Sequence, residues 1–124
     1  MTTTTYAWQG NSGRWYEFEV VRAQRDWEPS GGLYMFVKPK DPDPVNPLHA
    51  VPNWGGPIAL FLAKTDNFAQ TLARHEMWQA AENLGAKEIH ILPIRDPNTR
   101  QMVERDIQEA QTPILNRSML RRVA

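Results

Sequence analysis

Hydrophobic and charged residues alternate along residues 16–20, where aromatic or aliphatic side chains take the even positions and glutamate takes the odd ones. A period of two is typical of a strand with one buried face. The upstream segment Tyr6–Trp8 is also rich in aromatic residues, and the intervening Gly10–Gly13 contains glycine and asparagine, which tolerate the positive φ angles of tight turns. The pattern therefore predicts a β-hairpin at the start of the chain.

Two continuous apolar runs, Leu33–Val37 and Pro57–Ala63, are typical of strands that are buried on both faces. Five prolines fall between them, in the segment Lys38–Gly56. Because proline lacks a backbone donor and favours extended geometry in the residue before it, we predict a long loop there. A third core strand is predicted over Lys87–Leu92.

Helical spacing predicts two helices in the second half of the chain. The first spans Asn67–Leu84, is capped at Thr65-Asp66 and ends at Gly85, which suits a left-handed terminus. Its predicted buried positions are Phe68, Leu72, Met77, Ala80, Ala81 and Leu84. The second helix is predicted to have a cap at Asn98 or Thr99, apolar positions at Val103, Ile107 and Ala110, and an end at Pro113.

This order of elements predicts an α+β fold, in which a small antiparallel or mixed sheet with an N-terminal hairpin is flanked by helices. A length of 124 residues, of which 41% are hydrophobic, fits one domain. We expect that domain to span residues 1–124, with a hairpin extension at 1–30, a core at 31–116 and a basic tail at 117–124.

Charge and cysteine content exclude several classes of site. The 14 basic and 14 acidic residues cancel, so the net charge does not predict a polyanionic partner. There are no cysteines, which excludes disulfides and thiolate zinc sites. The N-terminus lacks the pattern of a signal peptide, and no apolar run approaches the roughly 20 residues of a membrane span. We therefore expect a cytoplasmic protein without a membrane partner.

Several short motifs lie in order on the predicted elements. Gly32-Leu33-Tyr34 begins a core strand, and Phe61–Phe68 leads from a strand into a helix that carries His75 and Trp78. Glu104 lies in the next helix, and the chain continues through Pro113-Ile-Leu-Asn116. Taken together, residues 31–116 resemble the GIY-YIG endonuclease superfamily, as a small stand-alone member with degenerate motifs.

The resemblance implies a phosphodiesterase site. In this family a glutamate holds one divalent metal, a tyrosine activates or orients water and a helix arginine stabilises the phosphate, a division of labour that suits a dianionic transition state. By resemblance, Glu104 takes the place of the metal ligand and Tyr34 and His75 take catalytic places. Asn116 takes the place of an asparagine near the site. From the residues alone, Glu104 would be a surface carboxylate and Tyr34 a core aromatic residue. Likewise, His75 would be a structural or solvated histidine and Asn116 a turn residue.

Three departures predict impaired catalysis. Phe61 and Ala63 stand where the second motif has tyrosine and glycine, and Thr71 stands where the family has its helix arginine. Thr71 is short and neutral, so it cannot make the bidentate charged contact of a guanidinium. Arg74, one turn further along the helix, or Lys64, next to the second motif, would be the replacement in an active enzyme.

These considerations leave three hypotheses of function. The first is a degenerate nuclease-like domain that is catalytically impaired and retained for binding nucleic acid or protein, with Lys64, Asn116 and Arg117 as nucleic-acid contacts. The second is an active endonuclease that cleaves DNA with Mg²⁺ at Glu104, the magnesium being conditional on activity. The third is a protein-interaction module, which the five tryptophans favour because tryptophan is enriched at interfaces. The chain is thus not assigned as an enzyme, and the first hypothesis is preferred.

Overall fold

The computed structural model describes residues 4–22, 25–40 and 56–116. They form a five-stranded antiparallel sheet in the order β1-β2-β5-β3-β4. The strands are β1 Thr5–Gln9, β2 Trp15–Val21, β3 Gly32–Lys38, β4 Ile58–Thr65 and β5 Glu88–Pro93. The helices are α1 Phe68–Ala73, α2 Trp78–Asn83 and α3 Pro97–Gln111, and residues 114–116 are also helical. The predicted α+β fold is confirmed.

The N-terminal hairpin is part of the main sheet. Strands β1 and β2 pair through a turn in which Gly13 has a φ of 91°, as the glycine-containing connection predicts. Strand β2 then pairs with β5 along Glu19–Val21. Asp106 of α3 fixes the turn, because its carboxylate accepts hydrogen bonds from the Ser12 hydroxyl and the Tyr16 hydroxyl at 2.6 and 2.7 Å. The hairpin is therefore held by both the sheet and a helix.

Each face of the sheet carries its own hydrophobic cluster. Helices α1 and α2 cover the face that includes Tyr34, Phe36 and Phe61, and Phe68 and Leu72 of α1 pack there. Helix α3 covers the opposite face, where Ile107 packs on a second cluster that comprises Trp8, Phe18, Leu33, Met35, Val37, Ala59 and Leu62. Strand β3 contributes side chains to both clusters and is buried from Gly32 to Val37, as its continuous apolar run predicts.

The predicted single helix over Asn67–Leu84 is wrong. The chain forms α1 and α2 instead, and Arg74 between them is extended, with φ −148° and ψ 100°. The break lets His75 turn towards β3, where it bonds to Tyr34, and a continuous helix would not allow this geometry. The cap is Asn67, whose side chain accepts from the Gln70 amide, in place of the predicted Thr65-Asp66. Of the predicted buried positions Ala80 is half-buried and Leu84 is 44% exposed.

Helix α3 begins two or three residues earlier than the predicted cap at Asn98 or Thr99 implies. Asp96 is its cap, since its carboxylate accepts from the Thr99 amide, and Pro97 occupies the first turn. Ile107 is buried and Val103 half-buried, while the predicted apolar position Ala110 is exposed. The helix ends at Thr112, which has a left-handed φ of 41°. Among the described residues, no helix is both long and apolar enough to cross a membrane.

A buried histidine links β1 to β5. The Trp8 indole N–H donates to Nδ1 of His90 at 2.9 Å, and His90 Nε2 lies 3.1 Å from the Glu88 carboxylate. Because Nδ1 accepts a hydrogen bond, the neutral ring carries its proton on Nε2 and donates it to Glu88. Burial lowers the pKa of His90 below its usual value, against the opposing effect of Glu88, and Arg22 adds to the lowering.

This arrangement makes stability depend on pH. Below about pH 6.5, the ordinary pKa of histidine, the unfolded chain binds a proton at this residue and the folded chain does not. The free energy of unfolding is therefore highest above about pH 6.5 and falls as the pH drops below that value. We expect the free energy of unfolding to fall by up to about 1.4 kcal/mol per pH unit on acidification for one such group. Urea denaturation across this range, with His90→Gln as the comparison, measures it. Equal pH dependence in both proteins would contradict the role of His90.

Candidate functional site

The structure brings Tyr34 and His75 into direct contact. Tyr34 lies on β3 with its ring buried in the cluster beneath α1 and α2, and its hydroxyl lies 2.6 Å from Nε2 of His75. His75 occupies the extended segment between the two helices, and its Nδ1 accepts the Met77 backbone N–H at 3.1 Å. Two residues that the sequence singles out for catalysis are therefore hydrogen-bond partners.

The hydrogen bonds define the direction of the Tyr34–His75 contact. Since Nδ1 of His75 accepts from Met77, a neutral imidazole carries its proton on Nε2 and donates it to the Tyr34 oxygen. Burial lowers the pKa of His75, although the negative charge of Glu76 opposes this shift. Because the pKa is lowered, the ring is neutral near pH 7. The Tyr34 oxygen is thus an acceptor for His75, and its own proton is available to another group.

Tyr34 is suited to donate a proton in a hydrogen bond and poorly suited to accept one as a base. Burial and the negative charge of Glu104 raise the pKa of its hydroxyl well above the usual value. A hydroxyl that stays protonated can donate to a phosphate oxygen, but it removes a proton from water inefficiently. His75 cannot accept the Tyr34 proton either, because its Nε2 atom, which faces Tyr34, already carries a proton.

Glu104 and Lys64 meet at the outer edge of β4. Glu104 is half-buried on α3, as its place beside the apolar stripe predicts. Burial raises the pKa of its carboxyl, while the Lys64 ammonium and a hydrogen bond from the Lys64 backbone N–H oppose that shift. The charge of Glu104 also raises the pKa of Tyr34, although among the described residues no hydrogen bond or ion pair joins the Tyr34–His75 pair to Glu104 or Lys64. We call Tyr34, His75, Glu104 and Lys64 together the polar cluster.

Two neighbouring positions contribute no charge. Phe61 is buried on β4, and its ring lies 5.2 Å from that of His75 and 6.1 Å from that of Tyr34, measured between centroids. The ring has no hydroxyl to offer there. The Thr71 hydroxyl lies 2.6 Å from the Thr65 hydroxyl, so this helix position bonds to the end of β4. Thr71 therefore supplies a neutral, already engaged side chain where the family resemblance implies an arginine.

Arg74 lies apart from Glu104. Its exposed side chain lines a cleft with His75 and Trp78 on the α1–α2 side of the sheet. Within residues 4–22, 25–40 and 56–116, no hydrogen bond or ion pair joins it to Glu104, and the cation that acts on the Glu104 carboxyl is Lys64. Of the two replacements considered for the missing arginine, Lys64 is thus the one whose charge influences the Glu104 carboxyl, although no ion pair joins the two side chains within the described residues.

Asn116 caps the free edge of β4. Its side-chain amide donates to the Leu62 carbonyl at 2.6 Å, and its side-chain oxygen accepts from the Leu62 N–H at 2.8 Å. An edge strand leaves backbone groups without a sheet partner, and this side chain satisfies one such pair. Both polar ends of Asn116 are engaged, so its observed role is to hold the strand. Arg117, the third predicted nucleic-acid contact, lies outside the described residues.

The residues around Glu104 do not form a preorganised magnesium site. The donor set is one carboxylate, whose pKa the neighbouring Lys64 lowers against the effect of burial. Among the described residues, no group of three or more histidine, aspartate or glutamate side chains is arranged to hold a metal ion. Magnesium prefers several oxygen ligands and is often completed by substrate phosphate and water. The protein groups alone therefore fit this ion poorly.

Arg100 is a buried residue that the motifs do not single out. It is only 5% exposed, and its guanidinium donates to the Ile94 carbonyl at 3.1 and 2.8 Å and to the Arg95 carbonyl at 3.1 Å. It also pairs with Asp66, at the junction of β4 and α1. Arg100 thus ties the first turn of α3 to two segments that lead into the polar cluster, and Glu104 follows one turn later. No motif signals this role, because an arginine between polar neighbours normally predicts an exposed helix face.

Comparison of the chain with protein-family models, with curated proteins and with solved structures finds no match.

Proposed function

We propose that the chain is a nuclease-like domain that binds phosphodiesters at the polar cluster and cleaves them poorly or not at all. The proposal is supported by the hydrogen bond between Tyr34 and His75 and by the electrostatic influence of Glu104 on Tyr34 and of Lys64 on Glu104. The positions Phe61 and Thr71 offer neither charge nor a free hydroxyl. The polar cluster contains groups that can contact a phosphate, but it lacks the fixed guanidinium that would stabilise the transition state of phosphodiester hydrolysis.

The donors of the cluster support phosphate binding. The exposed Lys64 ammonium is available to an anionic oxygen, while the buried Tyr34 hydroxyl contributes through its hydrogen bond with His75. The balance of charges within the cluster limits the expected affinity, because Glu104 repels a phosphate and offsets Lys64. We therefore expect weak binding that depends strongly on salt concentration, with no net positive field to strengthen it.

A salt titration of nucleic-acid binding tests the proposal. We expect a labelled oligonucleotide to bind at low salt and Lys64→Ala to weaken binding several-fold. The same substitution should reduce the slope of log affinity against log salt by about one, since one phosphate contact is lost. Arg14→Ala is the matched control, because it removes one positive charge from the exposed hairpin turn, outside the polar cluster.

Comparison of the Lys64→Ala and Arg14→Ala variants distinguishes a specific phosphate contact at Lys64 from general electrostatic attraction. Equal weakening by Lys64→Ala and Arg14→Ala would contradict a site at the polar cluster. Absence of salt-sensitive binding by the unsubstituted protein would overturn nucleic-acid binding altogether and favour the protein-interaction module.

A second candidate is an active magnesium-dependent endonuclease in which Lys64 replaces the missing arginine. It is favoured by one observation, the electrostatic contact of Lys64 with Glu104. In this case magnesium would be recruited together with substrate phosphate. Plasmid nicking that requires magnesium and is abolished by Glu104→Ala would establish this candidate.

A further inference from the structure

A cleft of about 480 Å³ lies next to the polar cluster on the α1–α2 side of the sheet. Its volume falls within the roughly 300–1,000 Å³ of small-molecule sites. Phe36, Leu72 and Ile89 form its apolar floor, and Trp78 forms part of its wall. The rings of Trp78 and Phe36 meet edge to face, with centroids 4.9 Å apart, so packing against the sheet fixes the position of the indole.

The rim of the cleft selects for a neutral polar ligand. Arg74 and Glu76 both lie on it and carry opposite charges, so the cleft has no net preference for an anion. The Gln79 side chain, which is exposed on α2, adds both a donor and an acceptor. An apolar floor, an aromatic wall and hydrogen-bonding groups at the rim suit a planar heterocycle with polar edges, which describes a nucleobase.

His75 connects the cleft to the polar cluster. Its ring lines the cleft, stacks edge to face on Phe36 at 4.9 Å between centroids, and bonds to the Tyr34 hydroxyl through Nε2. His75 therefore contacts both the cleft and the Tyr34 hydroxyl, so a base in the cleft would lie beside the polar cluster.

We infer that the cleft holds one unpaired base of a nucleic acid whose phosphate lies at the polar cluster. The inference rests on the proposed function and narrows its ligand to single strands, overhangs or unpaired ends. A base in a continuous duplex is stacked and paired, so it reaches such a cleft only after leaving the helix, which costs free energy. Single-stranded nucleic acid meets no such cost.

Paired binding measurements test this specificity. We expect a short labelled single strand to bind more tightly than the blunt duplex of the same sequence, measured by fluorescence anisotropy at low salt without magnesium. Trp78→Ala should weaken single-strand binding about 10-fold, because a stacking partner is lost, and should leave duplex binding unchanged. Trp15→Ala is the matched control, since Trp15 is 65% exposed on β2 and lies outside the cleft.

A second variant covers the case in which Trp78→Ala does not fold, because Trp78 packs against the core. Gln79→Ala lies on the exposed rim and should weaken single-strand binding a few-fold with the fold intact, as judged by circular dichroism. Unchanged single-strand affinity in the folded variants, or a preference for duplex, would overturn the base site and leave phosphodiester binding standing. Failure of both nucleic acids to bind would overturn the proposed function itself.

Discussion

Replacing Thr71 by arginine should convert the domain into a measurable magnesium-dependent nuclease. Thr71 lies on α1, with its hydroxyl bonded to Thr65 at the end of β4, next to Lys64. An arginine there would place a guanidinium beside β4, the strand that carries Lys64 of the polar cluster. Removal of one transition-state donor typically costs ~10²–10³ in rate, so its restoration should raise the cleavage rate by about 10²-fold, near the lower figure because Phe61 still lacks a hydroxyl.

Plasmid nicking in magnesium measures this gain. Thr71→Gln is the matched control, because it adds a polar side chain without the positive charge and should leave the rate at the level of the unsubstituted protein. In the double variant Thr71→Arg and Glu104→Gln the gain should disappear. A folded Thr71→Arg protein that nicks no faster than the Thr71→Gln protein would show that the missing guanidinium is not what limits the reaction.

Substitution of Arg100 by methionine should be among the most destabilising changes to a polar residue in the molecule. Methionine keeps an unbranched apolar stem but removes the donors to the Ile94 and Arg95 carbonyls. Hydrogen bonds from charged donors contribute about 1.5–3 kcal/mol each, and buried carbonyls left without donors add a desolvation cost. We expect the free energy of unfolding to fall by about 3 kcal/mol. The ion pair with Asp66 adds little to this, because Asp66 is 94% exposed on its side chain.

Denaturant titration of Arg100→Met and Arg105→Met shows whether the loss of stability comes from the buried contacts of Arg100 or from the loss of one positive charge. Arg105 lies on the same helix but is exposed, so its substitution should change the free energy of unfolding by no more than about 0.5 kcal/mol. Similar small losses in both variants would show that the contacts of Arg100 with the backbone do not hold α3 in place.

The strands could be predicted because their patterns are local. The alternation around Phe18 predicts its burial, and the apolar runs of β3 and β4 predict strands buried on both faces, as the structure has them. At the end of β2 the alternation is lost, because Val21 is buried and Val20 is only half-buried. The glycine at position 32, part of the motif that suggested a nuclease, has a packing role. A Cβ atom there would overlap the Leu92 carbonyl oxygen and the backbone at Pro93, so the close pairing of β3 with β5 requires glycine.

The helix break and the role of Arg100 could not be predicted, because both depend on partners distant in sequence. His75 leaves the helical path in order to bond to Tyr34, which lies 41 residues earlier. Helical periodicity continues through Arg74–Met77 and gives no sign of the interruption. Arg100 is buried by carbonyl groups of the loop after β5, a contact that hydrophobic patterning does not encode.

The contacts of the candidate site residues follow from the sequence only in part. Motif positions selected Tyr34, His75, Glu104 and Lys64 from separate elements; the structure pairs Tyr34 with His75, and Glu104 and Lys64 influence pKa values within the same group. The same reasoning placed Arg74 and Asn116 at the site, yet Arg74 lines the neighbouring cleft and Asn116 is engaged by β4. Sequence spacing shows on which turn of a helix a residue lies, but it does not show what the side chain contacts. Arg74 faces the cleft because α1 ends there, and Asn116 is engaged because β4 leaves a free edge at Leu62.

The central claim is that the unsubstituted domain holds nucleic acid without cutting it. Its most direct test is a single-turnover incubation in magnesium, with enough protein to bind all of a labelled single strand. We expect the strand to remain intact over hours while anisotropy shows that it is bound. Rapid magnesium-dependent cleavage of the bound strand by the protein with Phe61 and Thr71 in place would contradict the claim.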